Sequence, residues 1–128
     1  MPEPQLFEYA VVRVVPRVER EEFINVGVIL YCPKQKYLGF EYKLDADRLK
    51  ALYSELDIDE LKHHFAAFEQ ISLGSKAGGP IGTLDVASRF RWLTATRSTV
   101  VQSSKTHPGL CDGDPAQKLR ILFEKLVL

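Results

Sequence analysis

The chain has 128 residues, a length typical of a single domain. Its 17 basic and 17 acidic side chains give a formal net charge of zero, so contact with nucleic acid would require a local basic patch. Hydrophobic residues make up 45% of the chain, but no apolar run is long enough to cross a membrane.

The first residues, MPEPQLFEYA, lack the basic and apolar regions of a signal peptide. Two cysteines, Cys32 and Cys111, lie far apart and fit free thiols. We therefore expect a cytoplasmic protein. No zinc-binding spacing is present, and we expect neither a metal nor another cofactor.

The N-terminal third predicts three strands, at residues 7–15, 24–31 and 37–44, because β-branched and aromatic residues dominate these segments. Pro16 and Pro33 end the first two strands, since proline cannot donate a hydrogen bond to a sheet. A charged connection, residues 17–22, joins the first strand to the second. Three consecutive strands predict an antiparallel meander.

Two helical patterns follow the strands. Asp45 or Asp47 can cap a short helix, and Asp57 with Glu60 forms a capping box for a longer one that ends at Gly74. The apolar stripes that predict these helices are Leu49, Leu52, Tyr53 and Leu56 in the first, and Ile58, Leu61, Phe65 and Phe68 in the second.

The glycine-rich segment GSKAGGPIG, residues 74–82, predicts a mobile surface loop. A helix at 85–94 and a fourth strand at 98–103 come next, followed by a turn-rich loop at 106–115. Asp114 caps the last helix, with Pro115 at its first position and a buried stripe at Leu119, Leu122, Phe123 and Leu126.

These elements predict one α+β domain over residues 1–128, with a flexible tail at residues 1–5. An antiparallel sheet of about four strands, the meander plus one later strand, carries helices mainly on one face. The other face is then either wet or covered by a partner.

The second strand, INVGVILY, contains two residues unusual for a buried strand. Strand alternation places Asn25 and Gly27 on the same face. A structural explanation is that Gly27 permits a bulge or a close backbone approach, while Asn25 binds a nearby loop. A functional explanation is that Gly27 leaves room for a ligand or a partner residue.

The segment 89–115, RFRWLTATRSTVVQSSKTHPGLCDGDP, combines cations with hydroxyl groups. Arg97 lies beside Ser98 and Thr99, a combination suited to binding a phosphate or a carboxylate. The segment also offers a basic set for nucleic acid, with Trp92 as a stacking surface: Arg89, Arg91, Arg97 and Lys105. Both features have structural explanations, a solvated helix face for the arginines and the core for Trp92.

Two further arrangements could carry chemistry. His107, Cys111 and Asp112 suggest a nucleophile with a base, although such partners usually come from separate elements. Glu22 either forms a local ion pair in its charged connection or meets Arg97 at the head of the sheet.

Two blocks of the chain resemble a known bacterial family. They are YAVVRVVPRVEREEFINVGVILYCP near the N-terminus, and SRFRWLTATRSTVVQSSKTHPGLCDGDP followed by LRILFEKLV near the C-terminus. Both are similar to the domain of unknown function DUF3037. The resemblance places family positions at Arg13, Pro16, Glu22, Asn25, Gly27, Arg89, Arg97, Ser98, Gly109, Cys111 and Asp112.

The resemblance implies no catalytic roles, because the family has no assigned activity. Its genes are often neighbours of HipA-like kinases, which implies such a kinase as a partner. The resemblance also suggests that the two polar blocks form one binding site, made of Arg13, Glu22, Asn25, Gly27, Arg97, Ser98, Thr99, His107 and Asp112.

Three hypotheses of function follow. The first, which we favour, is an accessory protein that binds another bacterial protein or forms a homodimer, and is not an enzyme. The second is a small enzyme or anion-binding protein that uses Arg97, with His107 or Glu22 as acid or base. The third is a nucleic-acid-binding module, against which the zero net charge argues.

Overall fold

A computed structural model, which describes residues 4–97 and 99–128, contains one five-stranded antiparallel sheet. Its strands are β1 (Gln5–Val14), β2 (Ile24–Cys32), β3 (Tyr37–Tyr42), β4 (Val101–Ser103) and β5 (His107–Cys111). The order is β3-β2-β1, and β4 and β5 share the other edge of β1. The predicted meander and the α+β class are confirmed. The first strand begins at Gln5, inside the predicted tail.

The fifth strand was not predicted from the sequence. Residues 107–111 were expected in a loop, but they pair with residues 5–9 of β1. The sequence predicts a loop here because Pro108 and Gly109 are typical of turns. An edge strand nevertheless tolerates proline. Between β4 and β5, Ser104 continues the edge: its Oγ accepts from Val11 N at 2.9 Å, and its N donates to Val11 O at 2.8 Å.

The helices are α1 (Ala46–Leu52), α2 (Ile58–Leu73), α3 (Gly79–Gly82), α4 (Val86–Leu93) and α5 (Pro115–Leu126). Aspartates cap four of them, and three of these caps were predicted from the sequence. Asp45, rather than Asp47, caps α1, and Asp57 accepts from Glu60 N at 3.0 Å at the start of α2. Asp114 accepts from Ala116 N at 3.0 Å at the start of α5. None of the described helices has the length and apolar content needed to span a bilayer.

The glycine-rich segment has more regular structure than its composition predicts. Residues 76–78 form a 3₁₀ turn, and α3 follows at once. Gly82 is buried, and Gly78 lies against the last turn of α2. Residues 74–82 therefore pack onto the end of α2.

Two apolar clusters lie on opposite faces of the sheet. The larger cluster joins β1 and β2 to α1, α2 and α4 through residues such as Val12, Ile29 and Phe65. The smaller one places α5 over Phe7, Val28 and Leu30. The helices do lie mainly on one face, but α5 covers the other, so that face needs no partner to shield it.

A β-bulge in β2 breaks the alternation that the sequence suggested. Val12 is opposite Gly27 and Arg13 is opposite Asn25, so Val26 is an extra residue. Gly27 consequently faces α1–α4, where Val12 also packs. Asn25 faces α5 and donates from Nδ2 to Leu126 O at 3.3 Å. The prediction that Asn25 and Gly27 share a face is wrong, because one extra residue reverses the side-chain direction.

Gly27 allows the aromatic side chains of β3 to pack directly on the sheet. A Cβ atom at this position would lie 2.8 Å from Phe40 Cε1 and 3.0 Å from both Tyr42 Cβ and Glu41 O. The space above Gly27 is thus filled by the protein's own core. Its role is structural, and no room for a ligand exists there.

We expect Gly27→Ala to lower the free energy of unfolding by about 1–3 kcal/mol, because the added methyl group overpacks the contact with Phe40 and Tyr42. Urea unfolding measures the change. The matched control is Gly113→Ala, where an added Cβ meets no atom within 4 Å. Equal stability of the two variants would contradict this account of Gly27.

Candidate functional site

The residues of the predicted binding site do not gather at one place. Arg13 and Asn25 are direct neighbours across β1 and β2. Asp112 follows Cys111, which pairs with Gln5 at the start of β1, whereas Arg13 is near the end of that strand. At ~3.3 Å per strand residue, Asp112 is therefore about 26 Å from Arg13 along β1. Ser98 lies outside the described residues. The predicted site is therefore divided, and each part has its own surroundings.

Arg97 binds the carbonyl end of α4. Its Nη2 donates to Trp92 O at 2.6 Å, and its Nη1 donates to Leu93 O at 3.1 Å and Ala95 O at 3.3 Å. The guanidinium carbon lies 4.7 Å from the centre of the Trp92 ring, and burial lowers the pKa of Arg97. A cation at this position stabilises the negative end of the helix dipole. Its donors serve the fold.

Arg89 has a similar role at the end of α2. Its Nη1 donates to Ile71 O and Ser72 O, both at 2.9 Å, and its Nε donates to Leu84 O at 2.9 Å. Trp92 is half-buried and packs edge-on against Phe68, with 5.8 Å between ring centres. Of the residues in the nucleic-acid hypothesis, Arg89, Arg97 and Trp92 are therefore already engaged in contacts within the protein.

The predicted Cys-His-Asp arrangement is not assembled. His107 and Cys111 are at opposite ends of β5, about 13 Å apart at ~3.3 Å per residue. The His107 ring packs on Tyr9, with 5.3 Å between ring centres. Cys111 is buried, and its Sγ lies 3.6 Å from Gly113 O. In the described parts of the chain, no three His, Cys, Asp or Glu side chains are grouped as metal ligands.

Glu22 forms a local ion pair with Arg20, not one with Arg97. This hydrogen bond lowers the pKa of Glu22 and makes its carboxylate a weaker base. Thr99, the remaining predicted residue of the C-terminal block, donates from Oγ1 to Val101 O at 2.8 Å. The acid, base and anion-binding groups of the enzyme hypothesis therefore do not converge.

A polar row crosses the sheet where α5 ends. Arg13 is opposite Asn25 on one side and Gln102 on the other, so the three side chains share the face that α5 covers farther along. The row lies where α5 stops covering this face of the sheet, because Asn25 donates to Leu126 O in the last turn of α5. Arg13 thus lies at the open end of an otherwise covered face.

Arg13 lies in a groove of about 360 Å³, which we call the Arg13 groove. Its lining residues are Arg13, Val15, Val18, Glu21, Phe23 and Gln102. The guanidinium carbon is 4.0 Å from the centre of the Phe23 ring, a cation–π contact. Phe23 and Val18 are 45% and 37% exposed. The groove therefore combines a cation with exposed apolar surface.

Two buried polar atoms in this row have no hydrogen-bond partner among the described residues: Arg13 Nε and Asn25 Oδ1. Arg13 also forms no ion pair with the described residues, whereas Arg17, Arg20 and Arg120 all do. Burial lowers the pKa of Arg13, because the charged form is partly removed from water. Native proteins rarely leave buried polar groups unsatisfied. The uncompensated charge of Arg13 is therefore suited to an external anion or acceptor that reaches its terminal nitrogens.

The family resemblance indicated Arg13, and the strand pattern indicated Asn25, but Val18, Phe23 and Gln102 were missed. An arginine inside an apolar strand is a signal that could have indicated Arg13 without the resemblance. The loop that brings Phe23 beneath the guanidinium has no such signal, since its turn depends on Glu21 in a left-handed conformation, with φ of 57°.

For Arg97→Met, we expect a loss of about 2–3 kcal/mol in the free energy of unfolding, because carbonyls at the end of α4 lose a charged donor. Thermal or urea unfolding measures this loss. The same variant should raise the pKa of His64, measured from its ring protons by NMR. Burial and the charge of Arg97 lower that pKa while Glu60 raises it, and the variant removes the Arg97 charge. Unchanged stability would show that Arg97 does not cap α4.

Arg13→Met should behave in the opposite way. We expect the free energy of unfolding to stay constant or to rise by up to about 1 kcal/mol, because the variant removes an unsatisfied buried donor and keeps apolar contact with Phe23. Arg17→Met, at an exposed arginine, is the control for the loss of a positive charge. A decrease above about 1 kcal/mol would assign Arg13 to the structural arginines.

Comparison with known proteins identifies a family but no known activity. A family model described as "Protein of unknown function (DUF3037)" matches residues 9–127. No curated protein and no solved structure matches the chain. The matched range includes Arg13, Asn25 and Gln102.

Proposed function

Because the chain belongs to the DUF3037 family, which has no described function, we propose a function from the geometry: an accessory protein that binds another protein through the Arg13 groove. A single observation carries this proposal. Arg13 is a half-buried cation without an ion pair among the described residues, and exposed Phe23 and Val18 lie beside it.

The composition of the groove supports protein binding. Arginine and aromatic residues are enriched at the centres of protein interfaces, where they contribute most of the binding energy. Phe23 already holds the guanidinium at 4.0 Å, so little side-chain freedom remains to be lost on association. A partner that covers Phe23 and Val18 would remove apolar surface from water and could supply the counter-charge that Arg13 lacks.

The partner we propose is another bacterial protein, with a HipA-like kinase as the first candidate because of the implied gene neighbourhood. Such a complex would form in the cytoplasm. The two buried free thiols, Cys32 and Cys111, fit that reducing compartment.

Tagged protein, incubated with lysate of the host and with a purified HipA-like kinase, tests this proposal. We expect Arg13→Ala and Phe23→Ala each to weaken retention of the partner at least about tenfold, equivalent to ~1.4 kcal/mol. Arg17→Ala is the matched control, since Arg17 is an exposed cation already paired with Glu19.

Every variant is first compared with the wild type by thermal unfolding. Equal retention by wild type and both groove variants would overturn the proposal, as would the absence of any retained protein.

A second copy with a different tag, added to the same lysate, measures self-association, which is the other form of the hypothesis. The outer edge of β3 is the surface available for it, because β3 is an edge strand between α2 and α5, near Leu73, which is 67% exposed.

A further inference from the structure

We propose that the Arg13 groove recognises the carboxylate of an aspartate or glutamate side chain that its partner presents between apolar residues. This inference rests on the proposed function and specifies its chemistry. Three features carry it: the direction of the free donors, the charge of the groove and the apolar rim.

The direction of the free donors selects a planar acceptor. The Arg13 guanidinium carbon lies over the Phe23 ring, so the side of the group that faces this ring is occupied. Nε is buried from solvent and has no partner among the described residues, so an external acceptor reaches the guanidinium at its terminal nitrogens. A carboxylate meets a guanidinium in its plane and accepts two parallel hydrogen bonds, here one from each terminal nitrogen.

The charge of the groove favours a single negative charge over a phosphate. Arg13 is the only cation among its lining residues, and Glu21 contributes a carboxylate of its own. A phosphate carries more than one negative charge at neutral pH and would meet one cation and one repelling anion. A carboxylate brings one negative charge to the Arg13 guanidinium, and Glu21 repels it less strongly than it would repel a phosphate.

The unsatisfied charge also distinguishes a carboxylate from a neutral amide. A carboxamide would accept from an Arg13 terminal nitrogen but would not reach Asn25 Oδ1, which is buried and belongs to a residue that does not line the groove. It would still leave the half-buried guanidinium without a counter-charge. Hydrogen bonds between charged groups are roughly twice as strong as neutral ones, so the carboxylate binds more tightly.

The apolar rim selects a side chain over a chain end. Val18 and Phe23 extend exposed apolar surface beyond the guanidinium. A side-chain carboxylate can reach Arg13 while residues before and after it cover this rim. A free C-terminus ends at the carboxylate and offers residues on one side only.

Three short peptides test the inference: N-acetyl-Leu-Glu-Leu-amide, its neutral Gln analogue with the same blocked ends, and the Gln analogue with a free C-terminus. The readout is the Nε–H signal of Arg13 in ¹H–¹⁵N NMR spectra. We expect the Glu peptide to shift this signal saturably, with at least tenfold weaker binding of the two Gln peptides and of inorganic phosphate.

Variants test separately the planar shape of the Arg13 guanidinium and its positive charge. Arg13→Lys keeps the positive charge but removes the planar fork. We expect at least fivefold weaker binding of the Glu peptide, read from the backbone amide signal of Phe23 because this variant has no guanidinium Nε–H. Glu21→Gln removes the repelling carboxylate and should strengthen binding. Arg17→Lys, the control, should change nothing.

Equal or tighter binding of either Gln peptide or of phosphate would overturn the carboxylate assignment, as would a failure of all probes to shift the Arg13 signal. The wild-type titrations stand even if a variant does not fold. If the probes fail while capture of the partner still depends on Arg13 and Phe23, the carboxylate assignment falls and the proposed interaction stands. If the Glu peptide binds but no partner is captured, the interaction function falls and the groove chemistry stands.

Discussion

The burial of β2 on both faces is the constraint on which the rest of the structure depends. Five consecutive residues, from Val26 to Leu30, are buried, because α1–α4 pack on one side and α5 on the other. A strand enclosed in this way cannot direct polar side chains to water. Each departure from apolar character in β2 is therefore met inside the protein: aromatic side chains of β3 pack on Gly27, and the Asn25 amide nitrogen donates to Leu126 O.

The bulge at Val26 lets one strand meet two different requirements. Gly27 faces the aromatic residues of β3, where any side chain would collide with Phe40 or Tyr42. Asn25, two residues earlier, faces the opposite layer and binds the carbonyl end of α5. Regular alternation would place both on one face, so that one of them would meet the wrong layer. The extra residue also fixes Arg13 opposite Asn25, at the point where the cover of α5 stops.

The sequence was sufficient for the elements whose signals are local. Capping aspartates and apolar stripes predicted the long helices, and β-branched runs predicted the meander. It was insufficient for β5, because Pro108 and Gly109 have turn character and only pairing with β1 makes that segment a strand. The bulge is likewise a property of two strands together, and the placement of Asn25 depends on it.

The candidate site was predicted in part for the same reason. Arg13 was identifiable as a charge in an apolar strand, whereas its groove depends on a loop that returns Phe23 to the guanidinium. Arg97 seemed the stronger candidate because hydroxyl residues follow it along the chain. Its nearest acceptors are three backbone carbonyls, and the sequence contains no direct sign that these oxygens surround it.

The arginines of this protein differ in what their donors bind, and that difference separates structure from function. Arg89 and Arg97 direct their guanidinium groups to carbonyls at helix ends, so each stabilises the element next to it. Arg13 contacts Phe23, but its Nε has no acceptor among the described residues. A cation kept partly out of water without compensation lowers stability, and a binding partner that supplied the missing charge would offset this cost. The charge that the fold leaves unpaired is therefore the reason to place the proposed interaction surface at Arg13 and not at Arg89 or Arg97.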